Sequence, residues 1–122
     1  MILIVEDNEK NMKLVRDVLQ AKGYKTLEAV TGEDGVRLAK EHVPALVLMD
    51  IQLPGINGIE ALKQMRADPA TASIPVIAVT ASVMASDRRN ITDAGFDGYV
   101  GKPLNLKEFL DAVAHALAAR RA

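Results

Sequence analysis

The chain has 122 residues, of which 49% are hydrophobic, 25% are charged and only 3% are aromatic. These proportions argue against an intrinsically disordered chain and predict a single globular domain with an aliphatic core. A formal net charge of -1 gives no overall attraction to nucleic acid or to an anionic membrane, and the lack of cysteine excludes disulfides and thiolate metal sites. No apolar run approaches the ~20 residues of a membrane span and no leader-like segment follows Met1, so we expect a cytoplasmic protein.

Short apolar runs alternate along the chain with segments of helical periodicity. The runs predict five strands, at 1–5, 24–30, 45–49, 74–80 and 96–101. Between the first two strands, Met12, Val15 and Leu19 repeat at helical spacing. They predict a first helix over 9–22, with Gly23 as its left-handed C-cap.

Three later helices each begin with a short polar residue that is followed three positions later by an acid. This arrangement satisfies an exposed amide and complements the helix dipole. The pairs are Thr31 with Asp34, Asn57 with Glu60, and Asn105 with Glu108. Leu104 and Phe109 flank the last start as a hydrophobic staple. Another helix is predicted over 84–94, although Asn90 and Thr92 are poor helix formers.

Strands that are separated by helices predict a parallel sheet with helices on both of its faces. The number of units gives a (βα)5 doubly wound α/β fold. Two runs, ALVLM at 45–49 and VIAV at 76–79, are continuously apolar, as expected of central strands that are buried on both faces. No linker, repeat or low-complexity tract interrupts the pattern, so we expect residues 1–122 to form one domain with no output domain.

Polar side chains follow four of the predicted strands at the edge where their carboxyl ends meet. Glu6 and Asp7 follow the first strand, Asp50 the third, Thr80 the fourth and Lys102 the fifth. In an open α/β sheet the ligand crevice lies outside this edge. Three carboxylates repel one another unless a cation relieves them, and ligation by oxygen atoms alone suits Mg2+. The hydroxyl and the ammonium could bind a phosphoryl group, with a carboxylate as its nucleophile.

Four stretches of the sequence resemble the receiver domain of two-component response regulators. They are VEDN (5–8), LMDIQLPGING (48–58), AVTA (78–81) and YVGKP (99–103). The resemblance runs over essentially the whole chain, and EDNEKNMKL with MDIQLP is especially similar to a single-domain cell-division regulator of that family. The resemblance implies a flavodoxin-like sheet with strand order 2-1-3-4-5.

The resemblance also implies a role for the carboxylates. Asp50 would accept a phosphoryl group from a phosphohistidine on a histidine kinase or a histidine phosphotransferase. Asp7, Asp50 and the main-chain carbonyl of Gln52 would ligate Mg2+, and Glu6 would act through a bound water.

Further roles are implied for residues around the phosphoryl group. Lys102 would pair with the phosphoryl oxygens, and its bond to Pro103 would be a cis peptide. Thr80 would move to donate a hydrogen bond to the phosphoryl group, and Tyr99 would rotate inward behind it. Ala81 is small enough to leave the phosphoryl group room.

The implied protein is a signalling switch and not an enzyme, apart from its own phosphorylation and dephosphorylation. Phosphorylation would bias an equilibrium between two conformations. The signalling that this switch controls would include cell division or cell fate. A downstream protein would read the state at the face formed by the predicted helix at 84–94, the fifth strand and the last helix. We expect a monomer or a weak dimer that contacts neither nucleic acid nor membranes directly.

Three alternatives remain open from the sequence. The chain could be a receiver domain from a hybrid histidine kinase or from a larger regulator. A phosphatase of the haloacid-dehalogenase type is disfavoured, because Gln52 stands where those enzymes carry a second Asp. Met12 is either a core or half-exposed helix residue or, together with Leu104, part of a surface that docks a kinase or a phosphotransfer helix pair.

Overall fold

Five parallel strands form one sheet in the computed structural model, which describes residues 1–53, 55–80, 93–101 and 105–119. The strands are β1 (Ile2–Val5), β2 (Thr26–Ala29), β3 (Leu46–Asp50), β4 (Val76–Thr80) and β5 (Gly98–Gly101). Their order in the sheet is β2-β1-β3-β4-β5, and every pairing is parallel. The predicted α/β class and strand order are therefore confirmed.

Helices cover both faces of this sheet. The described residues form α1 (Glu9–Ala21), α2 (Gly32–His42), α3 (Gly58–Ala67) and α4 (Leu106–Ala119). The helix predicted over 84–94 lies mostly outside the described residues, so α4 corresponds to the helix that was predicted last. Within that range, Asp93 and Ala94 are helical, and Gly95 follows them with φ +105°. None of the helices in these described ranges combines the length and the apolar character that a bilayer crossing requires.

The predicted capping residues begin three of the helices. Each side-chain oxygen accepts a hydrogen bond from the amide three residues later, in the pairs Thr31–Asp34 (3.1 Å), Asn57–Glu60 (2.9 Å) and Asn105–Glu108 (3.1 Å). Sequence patterns did not identify the cap of α1, which is Asn8. Its Oδ1 accepts from the amides of Lys10 and Asn11, at 3.0 and 3.1 Å. Leu104 of the predicted staple lies outside the described residues.

Side chains of the central strands alternate between two aliphatic cores, one on each face of the sheet. Leu3 and Val47 point into the core that α2 and α3 cover, and Ile4 and Leu48 into the core on the side of α1 and α4. β1 and β3 are buried along their whole length, which explains why their sequences are apolar without alternation. Met12 lies in the second core with 5% of its surface exposed, as the core interpretation predicts.

Arg66 of α3 connects the segments that precede β4 and β5, at the edge opposite the predicted site. Its guanidinium donates to the carbonyls of Ala72 (3.0 Å) and Ile74 (2.6 Å) and to Asp97 Oδ2 (3.0 Å). The same Asp97 oxygen accepts from the amide of Val76 at 2.7 Å. Because bonds to charged groups are stronger than neutral ones, this network ties α3 firmly to the segments that precede β4 and β5.

Helix α2 ends at a residue whose backbone conformation suits glycine better. Val43 has φ 45° and ψ 65°, and it is the one non-glycine residue with positive φ in the described part of the chain. A β-branched side chain is strained in this left-handed region. Val43 is 49% exposed, so packing compensates little of the strain.

We expect Val43→Gly to raise the free energy of unfolding by roughly 0.5–1 kcal/mol, which is the left-handed strain less the extra entropy that glycine loses on folding. Urea denaturation of both proteins measures the difference. Val30→Gly is the matched control, because Val30 is 54% exposed and has no positive φ. That control should lower the stability slightly, and an equal gain from both substitutions would contradict the strain at Val43.

Candidate functional site

The parallel pairing of β1 with β3 places two carboxylates side by side. Val5 is paired with Met49, so the residues that follow them, Glu6 directly after β1 and Asp50 at the end of β3, lie at the same level of the sheet. Both side chains are buried, each with 4% of its surface exposed, whereas the neighbouring Asp7 is exposed. The sheet thus delivers two buried acids and one accessible acid to a single point.

Glu6, Asp7 and Asp50 form a compact group, which we call the carboxylate cluster. Each offers an oxygen atom that lies within 4.8 Å of the oxygens offered by the other two. Charges at this separation repel strongly where the surroundings are partly buried, and a divalent cation relieves the repulsion. The donor set consists of carboxylate oxygens alone, which fits Mg2+ and does not resemble a zinc site.

Main-chain amides orient two of these carboxylates. Asp50 Oδ1 accepts a hydrogen bond from the amide of Gln52 at 3.0 Å, and Glu6 Oε2 accepts from the amide of Asn8 at 3.2 Å. Each acid is therefore held against the turn that follows its own strand. Gln52, whose carbonyl was predicted to ligate the metal, lies in the turn directly beyond Asp50.

The start of α3 packs directly against the backbone that carries Asp50. A Cβ atom on Gly58 would clash with the carbonyl oxygen of Asp50 and would lie 2.9 Å from the Cα of Ile51. The amide of Gly58 donates to the carbonyl of Ile51 at 2.9 Å. Only glycine allows this approach, so the residue at 58 helps to set the position of Asp50.

A cleft of about 350 Å³ extends from the carboxylate cluster along α1. Besides Glu6 and Asp7, its walls are formed by Glu9, Met12, Lys13, Arg16, Glu28 and Val30. A pair between Arg16 Nη1 and Glu28 Oε1, at 3.4 Å, connects α1 with β2 along this cleft.

The other predicted site residues are only partly described. Asp50 pairs with Val79 and Thr80 pairs with Gly101, so the backbone of Thr80 ends β4 at the same edge as the carboxylate cluster. Tyr99 lies on β5 with 37% of its surface exposed. Ala81, Lys102 and Pro103 lie outside the described residues. The predicted roles of all these residues stay predictions.

Comparisons with known proteins agree with this geometry. A family model described as the response regulator receiver domain matches residues 2–114. Among curated proteins, the polar-differentiation response regulator DivK of Brucella ovis is 45% identical over 112 residues, which cover 92% of this chain and 91% of that protein.

Solved structures show the same similarity. The receiver domain of the sensor histidine kinase PA1611 from Pseudomonas aeruginosa is 31% identical, with a TM-score of 0.90 over 97% of both chains. That structure has a magnesium ion coordinated in its active-site cleft. The non-phosphorylated HemR receiver domain from Leptospira biflexa is 26% identical, with a TM-score of 0.88 over 99% of this chain and 96% of that one.

We expect Mg2+ to raise the thermal stability of the protein, and Asp7→Asn to remove most of this effect. A cation at 100 times its dissociation constant adds about 2.7 kcal/mol to the free energy of unfolding. Melting temperatures with and without Mg2+ measure it. Asp17→Asn is the control, because Asp17 is an exposed acid of α1 outside the cluster. An unchanged Mg2+ effect in Asp7→Asn would contradict the proposed ligand.

Proposed function

The chain belongs to the response regulator receiver family, and we propose that it is a phosphorelay switch whose phosphoryl acceptor is Asp50. The carboxylate cluster carries this proposal: a buried Asp at the end of a central strand lies within 4.8 Å of two further acids. The family match over residues 2–114 supports it. The family consists of signalling switches and not of classical enzymes.

The chemistry that we propose is the transfer of a phosphoryl group from a histidine to an aspartate. A carboxylate oxygen of Asp50 attacks the phosphorus of a phosphohistidine on a histidine kinase or a histidine phosphotransferase. A P–O bond forms, the P–N bond breaks, and the departing imidazole nitrogen takes up a proton. The amide of Gln52 holds Asp50 Oδ1 at 3.0 Å, which fixes the direction of the carboxylate for the attack.

The residues present fit a magnesium ion at this point. Asp7, Asp50 and the main-chain carbonyl of Gln52 would hold it directly, and Glu6 would do so through water. Bound there, the ion would supply positive charge for the carboxylates and for the phosphoryl oxygens. Lys102 would provide a second cation to the phosphoryl group.

We further propose that a partner protein detects phosphorylation at the β5 edge of the sheet. Thr80 would bind the phosphoryl group, and Tyr99 would turn inward as Thr80 moves. Tyr99 is 37% exposed on β5, an edge strand, so this movement would alter an accessible surface. A partner protein would bind the face formed by the 84–94 segment, β5 and α4 more tightly in one state than in the other.

The biological setting of the switch is also a proposal. Similarity to the polar-differentiation regulator DivK supports a role in signalling that controls cell division or cell fate. Such signalling would run through protein contacts in the cytoplasm, without direct binding to nucleic acid. A monomer or a weak dimer remains our prediction for the free protein.

A second candidate is a receiver domain that acts within a hybrid histidine kinase or a larger regulator. The similarity to the receiver domain of the sensor kinase PA1611 favours it. Both candidates use the same acceptor chemistry and differ in what is attached to the domain. The length of the complete reading frame distinguishes them.

We expect intact-mass measurements to find one phosphoryl group on the natural protein after incubation with a small acyl phosphate and Mg2+. Asp50→Asn should carry none, because an amide is not a nucleophile for this reaction. The adduct should be lost in alkali, as expected of an acyl phosphate. Asp17→Asn should react like the natural protein.

Two outcomes would contradict this assignment. An adduct of equal yield in Asp50→Asn would place the acceptor elsewhere. The absence of any adduct, both from the small donor and from a phosphorylated histidine phosphotransferase, would rule out the switch.

A further inference from the structure

The turn between β3 and α3, described at residues 51–53 and 55–57, is fixed at both of its ends, to Asp50 of β3 at its start and to Ile51 at its end. At its start, the amide of Gln52 donates to Asp50 Oδ1 at 3.0 Å. At its end, the amide of Gly58 donates to the carbonyl of Ile51 at 2.9 Å. These two bonds fix the start and the end of the turn.

The middle of this turn contacts Glu33, in the first turn of α2. The amide of Ile56 donates to Glu33 Oε1 at 3.4 Å. A Cβ atom on Gly55 would lie 2.5 Å from Glu33 Oε2 and 2.7 Å from Glu33 Oε1, so the carboxylate rests directly on the Gly55 backbone. Gly55 has φ +73°, a second reason for glycine at this position.

The residue that precedes Glu33 reinforces the same contact. A Cβ atom on Gly32 would lie 2.7 Å from the carbonyl oxygen of Ile56 and 2.7 Å from its Cγ1. The N-terminus of α2 therefore fits against the turn with no space for a side chain at position 32. Gly32 and Glu33 thus both contact the turn, at Ile56 and at Gly55 with Ile56 respectively.

We propose that Glu33 is a positioning residue for the metal site. It acts by holding the turn so that the main-chain carbonyl of Gln52 is directed at the cation. The inference rests on the proposed function, because it assigns that carbonyl as a ligand. Gln52 lies between the attachment at Asp50 and the contact of Glu33 with Gly55, so both contacts restrict the orientation of its peptide groups. Glu33 is outside the carboxylate cluster and would not touch the ion.

The neighbouring Asp34 provides a matched comparison. Both acids lie in the first turn of α2, where a negative charge stabilises the helix. Asp34 differs in its contacts, because its Oδ1 pairs with Arg37 Nη2 at 3.5 Å. Removing either carboxylate costs the helix a similar interaction, but only Glu33 contacts the turn through Gly55 and Ile56.

Calorimetric titration of the unphosphorylated protein with Mg2+ tests the proposal. Substituting a residue that holds a metal ligand in place typically lowers the metal affinity 10–100-fold. Because Glu33 acts on the Gln52 carbonyl through several intervening bonds, we expect the smaller loss of roughly 3–10-fold in Mg2+ affinity for Glu33→Ala. Glu33→Gln keeps an oxygen acceptor for the Ile56 amide and should bind within about twofold of the natural protein. Asp34→Ala should also stay within about twofold.

Hydrogen exchange at the amide of Ile56, measured by NMR without Mg2+, gives a second readout. The exchange should be faster in Glu33→Ala than in the natural protein, and nearly unchanged in Glu33→Gln and in Asp34→Ala. This measurement detects the contact itself and does not depend on metal binding or on phosphorylation.

Three results would overturn the inference. Equal losses of Mg2+ affinity in Glu33→Ala and Glu33→Gln would mean that the charge of Glu33 acts, and not its contact with the turn. Unchanged affinity in Glu33→Ala would remove the positioning role while leaving the proposed function intact. A natural protein that binds no Mg2+ would refute the metal site of the proposed function, and the role of Glu33 with it.

Discussion

The parallel pairing of β1 with β3 is the constraint on which the rest of this structure depends. Every side chain of both strands is buried, and each large aliphatic residue contributes about 1.5–3 kcal/mol when it leaves water. This apolar frame offsets the cost of burying Glu6 and Asp50 at its end, each with 4% of its surface exposed. A shift of the register by one residue would send every side chain of a strand to the opposite face and would separate the two acids, so the fold and the site are specified together.

Close backbone packing around the turn after Asp50 supplies the precision that a metal site needs. Gly58 lets α3 begin against the backbone of Asp50 and Ile51, and Gly55 lets Glu33 lie against the middle of the turn. A cation such as Mg2+ requires near-ideal geometry from its ligands, and one of the ligands proposed here is a carbonyl of this turn. Gly55, Gly58 and Glu33 would therefore matter for the proposed metal site although none of them is proposed to touch the ion.

The same scaffold is compatible with different biological roles. The chain is 45% identical to a DivK regulator and 31% identical to the receiver domain of a sensor kinase, and both comparisons cover more than 90% of it. Function in such a family depends on sites and surfaces and not on the fold. The carboxylate cluster defines the chemistry that we propose, whereas the choice of partner depends on the exposed faces of the helices and of the edge strand.

Local patterns in the sequence determined the class of the fold, the succession of strands and helices along the chain, and the caps at Thr31, Asn57 and Asn105, because periodicity and capping act over short distances. The rule for open α/β sheets then placed the acids together at the strand ends. Only the tertiary structure decided how the parts touch. The contact of Glu33 with Ile56 joins residues 23 positions apart, and the bond of Arg66 to Asp97 joins residues 31 apart. The left-handed Val43 went unpredicted because valine disfavours that conformation. Such features follow from the packing of α2 and α3 against the sheet, which no short stretch of sequence records.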